Sequence, residues 1–571
     1  MILYWCEKDK IQTKRSTCPV CGGRCNVEKS EIYWCDHCRI PLYESHCSCG
    51  GEVTRLTTDI RPVFPEERLL IEIVTDKPFA YQEASVWNGA GNHYFVNGKK
   101  IPFSVKKLRD VDVDSVRCQY EACAEENRKT YDMFNVYIAR FVEQNQAHLR
   151  DIDEEALSFI KQVSEGYSNM DMFVSFSGGK DSTVTSDLAM RGLGAGNILH
   201  VFGDTTLEFP QTEEYVARFK KAHPKTPVLS AKNTEKDFYE LCMLLGPPSR
   251  VMRWCCTIFK TGAITRKIQT LFRGKKRILT FYGIRRSESA SRNKYDREVD
   301  GAKITKQVTV SPIIDWLDFD VWLYLLSNGL DFNDAYRYGY ARVGCWCCPN
   351  NSEWSEFLSQ IHQKEAYEEF HKLLVTFARG IGKRDAEEYV KTGKWKARQG
   401  GNGVSYAGKS IVSFTPCVLE ENTFNYELQR PLTEEFYELF YPFGYVNTVM
   451  GNKRLGEVYI TRKDGTPLLR IQGRIGKTTL KISILDYHIA GARSVKIAED
   501  KIKCQLTKYQ MCMGCRACEG VCKHDAIALL EMPDGGVRYQ IREDKCVRCG
   551  ECVNHFTMGC YMRKVLCIKR S

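Results

Sequence analysis

From about residue 171 the chain alternates short, wholly apolar runs with longer stretches whose apolar positions recur at helical spacing. Met172-Phe173-Val174-Ser175-Phe176 has the composition of a buried strand, and a helix is predicted to follow through about Arg191. Ile198 to Phe202 and Ile278 to Tyr282 repeat the strand pattern. Buried strands separated by helices predict an α/β fold with a doubly wound parallel sheet, which binds ligands at the carboxyl ends of its strands. The flanks have other periods. Residues 56–115 look β-rich, with a hairpin signal at Asn88-Gly89-Ala90-Gly91-Asn92 and a turn at Asn97-Gly98. Met133, Val136, Tyr137 and Phe141 recur at helical spacing and predict a helical connector over 116–170. Residues 352–396 are helical and charged, and the run from Lys396 through Arg398 to Gly403 reads as a flexible basic break. Strands around Val458-Tyr459-Ile460 and Leu468-Leu469-Arg470-Ile471 predict a small α+β domain. The expected divisions are 1–55, 56–115, 116–170, 171–350, 351–410, 411–500 and 501–571.

A length of 571 residues allows about three to five domains. A composition 43% hydrophobic and 27% charged excludes global disorder. No apolar run reaches the roughly 18 residues of a membrane span, and Met1-Ile2-Leu3-Tyr4-Trp5 turns polar too early for a signal peptide. The expectation is therefore no membrane partner. The 27 cysteines change the picture most, because they are clustered: eight over Cys6–Cys49, five over Cys255–Cys348 and ten over Cys504–Cys567. Cys118, Cys123, Cys242 and Cys417 stand apart and read as inert buried thiols. A chain this long does not need a disulfide scaffold, so the clusters point to metal.

The first cluster repeats. Tyr4-Trp5-Cys6 is echoed by Tyr33-Trp34-Cys35, and each copy ends in a cysteine pair before Gly-Gly: Cys18 and Cys21, then Cys47 and Cys49. The second copy supplies Cys35, Cys38, Cys47 and Cys49, a donor set for a closed zinc site. The first supplies Cys6, Cys18 and Cys21, with Asp9 or Cys25 as the fourth ligand. The other pairing, Cys18 and Cys21 with Cys35 and Cys38, makes a single zinc ribbon. One or two zinc ions are expected.

The last cluster runs Cys512-x2-Cys515-x2-Cys518-x3-Cys522 and Cys546-x2-Cys549-x2-Cys552-x7-Cys560. It resembles the two-cluster bacterial ferredoxin module, in which the fourth cysteine of each run crosses to the other cluster. That resemblance assigns Cys512, Cys515, Cys518 and Cys560 to one [4Fe-4S] cluster, and Cys522, Cys546, Cys549 and Cys552 to the second. Lys523 and Tyr561 replace the usual prolines, and Cys504 and Cys567 compete for the place of Cys560.

In the central region, Ser177-Gly178-Gly179-Lys180-Asp181-Ser182 follows the first strand. The glycines let backbone N–H groups approach a phosphate, the helix terminus adds positive charge, and Lys180, Ser177 and Ser182 add donors. The spacing is not that of a Walker A loop. It resembles the PP-loop of N-type ATP pyrophosphatases and sulfonucleotide reductases, which share the adenine nucleotide alpha-hydrolase-like fold. Gly203-Asp204-Thr205-Thr206-Leu207-Glu208-Phe209-Pro210-Gln211-Thr212 is similar to a segment of the 3′-phosphoadenylylsulfate (PAPS) reductase family, with Thr206 in place of its glycine. Gly283-Ile284-Arg285-Arg286-Ser287-Glu288-Ser289 with Arg292, and Pro312-Ile313-Ile314-Asp315-Trp316 with Val321-Trp322, resemble further segments of it. The resemblance covers about 180 of the 571 residues. It implies an adenine nucleotide held by residues 177–182, Asp204, Glu288 and Arg292. Lys180, Asp181, Lys260, Arg285 and Arg286 would be its catalytic groups, since guanidinium forks suit phosphate and sulfate oxygens.

Vicinal Cys255-Cys256 and the later Cys345-x2-Cys348 resemble the [4Fe-4S] ligand set of the adenylylsulfate (APS) reductase branch. Cys347 replaces Cys345 or is a free thiol. Lys260 matches a basic position after the vicinal pair. The C-terminal Glu-Cys-Gly-x-His segment of assimilatory reductases, which carries their nucleophile, has no counterpart here. Two functions remain open. One is reduction of APS or PAPS with electrons relayed by the fused ferredoxin from an external donor. The other is ATP-dependent adenylation and thiolation of a nucleic acid, with the zinc repeat gripping the target. Three clusters imply a reducing cytoplasm. The formal charge of +11 counts cysteines as neutral, and metal-bound thiolates offset most of it, so net charge is weak evidence for a nucleic-acid partner.

Overall fold

The computed structural model describes the chain except residues 1–3, 14–16, 24, 28–30, 235–236, 290–291, 301–305, 398–412, 513, 515–516, 533–536, 555–558 and 561–571. Met1 to Leu3, Cys515, Tyr561, Cys567 and the expected break from Arg398 to Gly403 lie outside the described residues.

Six strands form the central sheet, in the order 228–232, 199–204, 172–176, 278–282, 307–310, 298–300. All neighbours pair in parallel except Glu298–Asp300, which runs antiparallel at the edge. The order reverses on either side of Met172–Phe176, which makes the sheet doubly wound and opens a crevice at the carboxyl ends of Met172–Phe176 and Ile278–Tyr282. Phe173, Val174 and Phe281 have no exposed surface, as strands covered by helices on both faces require.

The sequence repeat at the N-terminus is a repeat of fold. Tyr4–Cys6 lies between Ile11–Thr13 and Asn26–Val27, and Ile32–Cys35 lies between Ile40–Leu42 and Val53–Thr57 in the same order. Each copy turns on a left-handed residue four after its first cysteine, Lys10 and Arg39, and on a left-handed glycine, Gly22 and Gly50. The second copy is fastened to the central domain. Tyr43 stacks on His148 with ring centres 3.5 Å apart, and His148 Nε2 shares a 2.6 Å hydrogen bond with buried Asp320.

The 56–115 segment folds as a four-stranded antiparallel sheet with a helix, Pro65–Val74. Its hairpin turns through Gly91 and Asn92, and the next turn through Asn97 and Gly98, all at positive φ. The following helices bury Tyr137 and Phe141, whereas Met133 and Val136 on the same helix are exposed. Strands between Ser413 and Ile484 form a six-stranded antiparallel sheet. The helix Val495–Met511 packs on it and crosses the boundary expected at residue 500.

Candidate functional site

The glycine-rich loop of residues 177–182 sits at the crevice. Gly178 needs its left-handed φ of 69°, and a Cβ there would meet the Thr212 methyl at 2.9 Å. Gly283 is required for a different reason: a Cβ would lie 2.5 Å from the Asp181 carbonyl, so only glycine lets the end of the strand Ile278–Tyr282 approach the first turn of the helix Lys180–Leu193. Ser182 Oγ donates to the Gly179 carbonyl at 2.8 Å and lies 3.2 Å from the Ser177 hydroxyl and N–H, which closes the loop on itself.

The charged groups around this loop are already paired. Lys180, 3% exposed, places Nζ 3.2 Å from both Asp181 and Asp318. Arg285, also buried, binds Asp181 through Nε and Asp318 through Nη2, the latter at 2.6 Å. Burial alone would raise the two carboxyls, but Arg285 and Lys180 hold both below the usual range. Asp318 opens the helix Asp318–Ser327, and Asp59 from the N-terminal flank accepts its N–H at 3.2 Å and that of Phe319 at 3.1 Å. Burial and the neighbouring Asp318 push Asp59 up to about 7. The Tyr336 hydroxyl accepts the Lys180 N–H at 3.0 Å, on the helix terminus where an anion would bind.

Not every expected residue faces this group. The Arg286 guanidinium is taken up by Asp315 and by the Tyr295 carbonyl at 3.0 Å, apart from Lys180 and Arg285. Glu288 accepts the Arg285 N–H at 3.2 Å and pairs with Arg292. Arg292 has its pKa lowered to about 10 by burial and by the like charge of Arg342. Asp204 accepts the Thr206 N–H at 2.9 Å and lies 3.8 Å from Lys232. Thr206 holds a left-handed φ of 64°, so a β-branched residue keeps the backbone conformation for which the resembling family carries glycine.

The segment after Asp204 leads to the thiols. Glu208 accepts Thr205 Oγ1 at 2.8 Å, Thr205 Oγ1 lies 3.3 Å from Cys345 Sγ, and Trp346 N–H donates to the Leu207 carbonyl at 3.0 Å. Cys255 and Cys256 flank the start of a π-helical turn, Cys256–Gly262, which also carries Lys260. Such turns recur at functional sites. The Cys256 thiol hydrogen-bonds Cys255, Cys345 interacts with Cys255, and Cys348 interacts with Cys256, Arg342 and Arg253. Burial, with Glu208 next, pushes Cys345 up to about 12, and burial raises Cys347 and Cys348 as well. Buried thiols of this kind stay protonated until a metal displaces the proton. Among the described residues they form no compact group of three or more donor atoms, unlike the N-terminal cysteines.

The N-terminal sites do converge. Cys35, Cys38, Cys47 and Cys49 form one group, and Cys6, Asp9, Cys18 and Cys21 the other, each with donor atoms within 4.8 Å of one another. The grouping follows each repeat copy, with Asp9 and not Cys25 in the first. A tetrahedral zinc bound at about 2.3 Å sets its sulfurs about 3.8 Å apart. The sulfurs here lie 3.7 Å apart for Cys6 and Cys21, 3.5 Å for Cys35 and Cys49, and 3.7 Å for Cys38 and Cys47. Backbone N–H groups donate to sulfur at matching positions in both copies: Asp9 to Cys6 and Cys38 to Cys35, Gly23 to Cys21 and Gly51 to Cys49.

In the C-terminal region a small cavity is lined by Cys522, Cys546, Cys549 and Cys552. Lys508 is buried beside Cys504, Cys518, Cys552 and Cys560, and donates to the Cys552 carbonyl at 2.6 Å. No carboxylate pairs with it among the described residues. Burial opposes its charge, the thiols raise its pKa, and the Tyr539 ring centre lies 5.0 Å from its Nζ. A buried ammonium amid thiols fits an anionic cluster at this place. The helix Ala517–Val521, which holds Cys518, packs on the π-helical turn that begins at Cys256, and Lys306 meets Asp525 at 3.2 Å.

Asp59, Asp318, Tyr336, Arg253 and Arg342 were not visible as site residues in the sequence. Asp318, two residues after the Pro312–Trp316 segment, was the one within reach of a motif.

An α/β domain with a glycine-rich loop at its sheet crevice and a cluster of thiols, joined to a cysteine-rich C-terminal region, is the class these features define. Residues 171–351 match the phosphoadenosine phosphosulfate reductase domain, and residues 511–555 match the 4Fe-4S dicluster domain. Two uncharacterized proteins of Methanocaldococcus jannaschii are each 31% identical, over 45% and 47% of this chain, which spans 60% and 54% of their lengths. The adenosine 5′-phosphosulfate reductase of Anoxybacillus flavithermus is 30% identical over 36% of this chain and 85% of its own length. On that coverage the chain belongs, through its central domain, to the phosphoadenosine phosphosulfate reductase family. No helix among the described residues is long and apolar enough to cross a membrane.

Proposed function

We propose that this chain reduces an adenylated sulfur oxyanion, APS or PAPS, in the crevice between the phosphate loop and the central thiols. The observation that carries the reading is a chain of cations between those two ends. Arg292 lies within electrostatic reach of Asp181 and Arg285 on one side and of Arg342 on the other, and Arg342 with Arg253 faces Cys348. A nucleotide phosphate bound at Ser177, Gly178, Gly179, Lys180 and Ser182, with only the backbone of Asp181 facing it, would direct its sulfate along this track toward Lys260 and Cys345. Bound [4Fe-4S] clusters supply single electrons: one on Cys255, Cys256, Cys345 and Cys348, and two in the ferredoxin module on the ligands expected from its spacing. The protein's own groups do the rest. Lys180 and Arg285 hold the phosphate once it displaces Asp181 and Asp318, and Arg292 and Arg342 orient the sulfate. Two electrons from an external donor cleave the phosphate–sulfate S–O bond, so that sulfur leaves as sulfite and the phosphate oxygen stays with the nucleotide. The N-terminal sites hold structural zinc.

In a second reading the same loop cleaves ATP to AMP and pyrophosphate to thiolate a nucleic acid. Anaerobic protein given APS or PAPS and a reduced donor distinguishes the two. Sulfite release is expected. Pyrophosphate from ATP, with no sulfite from either sulfonucleotide, overturns the first reading in favour of the second.

A further inference from the structure

The antiparallel sheet of residues 413–484 takes no part in the crevice, yet it carries a concentrated positive charge. Residues 447–481 hold eight basic side chains and two acidic ones, a net +6 within a chain whose total is +11. No cysteine lies in this stretch, so metal-bound thiolates do not balance that charge locally. Within it, Arg462 pairs with Asp486, Arg470 with Glu420 and Glu457, and Lys481 with Glu420. Lys453, Arg454, Arg474 and Lys477 are exposed and have no carboxylate within ion-pair distance among the described residues.

These four cations are gathered by the backbone. Gly473 N–H donates to the Gly456 carbonyl at 3.1 Å and Arg474 Nη2 to the Arg454 carbonyl at 3.1 Å, which binds the loop after Gln472 to the loop before Glu457. Arg474 and Lys477 then line a groove of about 730 Å³ along the sheet, together with Phe414, Leu455, Lys481 and one carboxylate, Glu427, which accepts the Thr478 hydroxyl at 2.6 Å. Phe414 is 43% exposed, and the Lys503 ammonium lies 3.2 Å from its ring centre. Leu455 and Ile475, at 49% and 53% exposure, stand on the two joined loops. A groove that combines unpaired cations with an exposed aromatic ring suits a flexible polyanion with flat bases. The cations track successive phosphates while a base stacks on the ring. An acidic peptide would use the cations and leave the ring and apolar rim unmatched.

We infer that the groove of the 413–484 sheet, with the Lys453–Arg454 and Arg474–Lys477 loops at its end, binds a single strand of nucleic acid. The inference does not depend on which reaction the crevice performs, because binding is read without turnover.

The test uses the full-length, metal-loaded protein and fluorescence anisotropy with labelled single-stranded RNA and DNA oligonucleotides of matching sequence. Wild type should bind at least one of them, with affinity falling steeply as salt rises. Changing Lys453, Arg454, Arg474 and Lys477 to Gln should weaken binding on the order of tenfold or more and lower the log–log salt slope by about 3, near 0.7 per phosphate contact. Phe414→Ala should weaken binding roughly five- to 150-fold with the salt slope unchanged, the signature of lost stacking. Unchanged iron and zinc contents show that the variants fold, and the double change at Arg474 and Lys477 serves if the fourfold variant does not. Failure of wild type to bind either strand at low salt overturns the inference. So does equal binding by the Gln variants, or competition by polyglutamate as effective as by unlabelled oligonucleotide.

Discussion

The two ends of the central crevice solve opposite electrostatic problems. At the phosphate end two buried cations, Lys180 and Arg285, meet two half-buried carboxylates, Asp181 and Asp318, and these four charges balance without a ligand. At the thiol end Cys347 is buried and Cys255, Cys345 and Cys348 are half-buried, all with pKa values pushed up, while Arg253 and Arg342 act on Cys348 and Lys260 on Cys345. On the proposed function the first end exchanges one anion for another, and the second takes up metal as it loses protons. Ligand affinity at the phosphate end would then be a competition with Asp181 and Asp318, whereas occupancy at the thiol end would be a matter of assembly.

The largest test of this contrast is Cys256→Ser. It should remove about four irons per chain, one cubane, and abolish turnover, while the ferredoxin module keeps its own iron. Loss of all iron would show that the three clusters do not form independently. Next is Arg285→Ala, which leaves Asp181 and Asp318 facing each other with Lys180 alone. A cost of about 3–5 kcal/mol is expected in denaturant unfolding, with iron content unchanged. A loss below about 1 kcal/mol would mean that the phosphate end is not charge-balanced as described.

A smaller effect is read through pH. Asp59, at about 7 in the folded chain, titrates near 3.9 when unfolded. Between those values the folded state binds the extra proton, so this group's contribution is fullest below about pH 4 and is lost as pH rises toward 7. Asp59→Asn should flatten stability across that window, and an unaltered profile would remove Asp59 from the charge network. The smallest effect belongs to Thr206, where the two ends are joined. Thr206→Gly relieves a left-handed β-branched residue and should raise stability by about 1 kcal/mol in thermal unfolding.

The same contrast explains what was legible in the sequence. Met172–Phe176, the glycine loop and Ile278–Tyr282 are local signals, since a buried strand and a phosphate loop are each written in a few consecutive residues. The copy-by-copy grouping of the N-terminal cysteines was one of two pairings that the spacing allowed, and the hairpin within each copy decides it by bringing Cys6 to Cys21 and Cys35 to Cys49. Asp59 and Asp318 gave no such signal. An aspartate becomes part of a site only through the partners that folding brings to it, and Asp59 meets its partner across 259 residues of chain. Met133 and Val136 misled for a related reason: helical spacing marks a face, but only packing decides which part of that face is covered.

Lys508 bears on what the C-terminal region must contain. Its ammonium is buried with one carbonyl acceptor, the face of Tyr539 at 5.0 Å, and the thiols of Cys504, Cys518, Cys552 and Cys560 around it. A buried charge without an ionic partner is costly, so this interior suits a negatively charged thiol set better than a fully protonated one. Lys508 is thus a counter-ion fixed in the helix Val495–Met511, ahead of Cys512 and the cysteine run that follows.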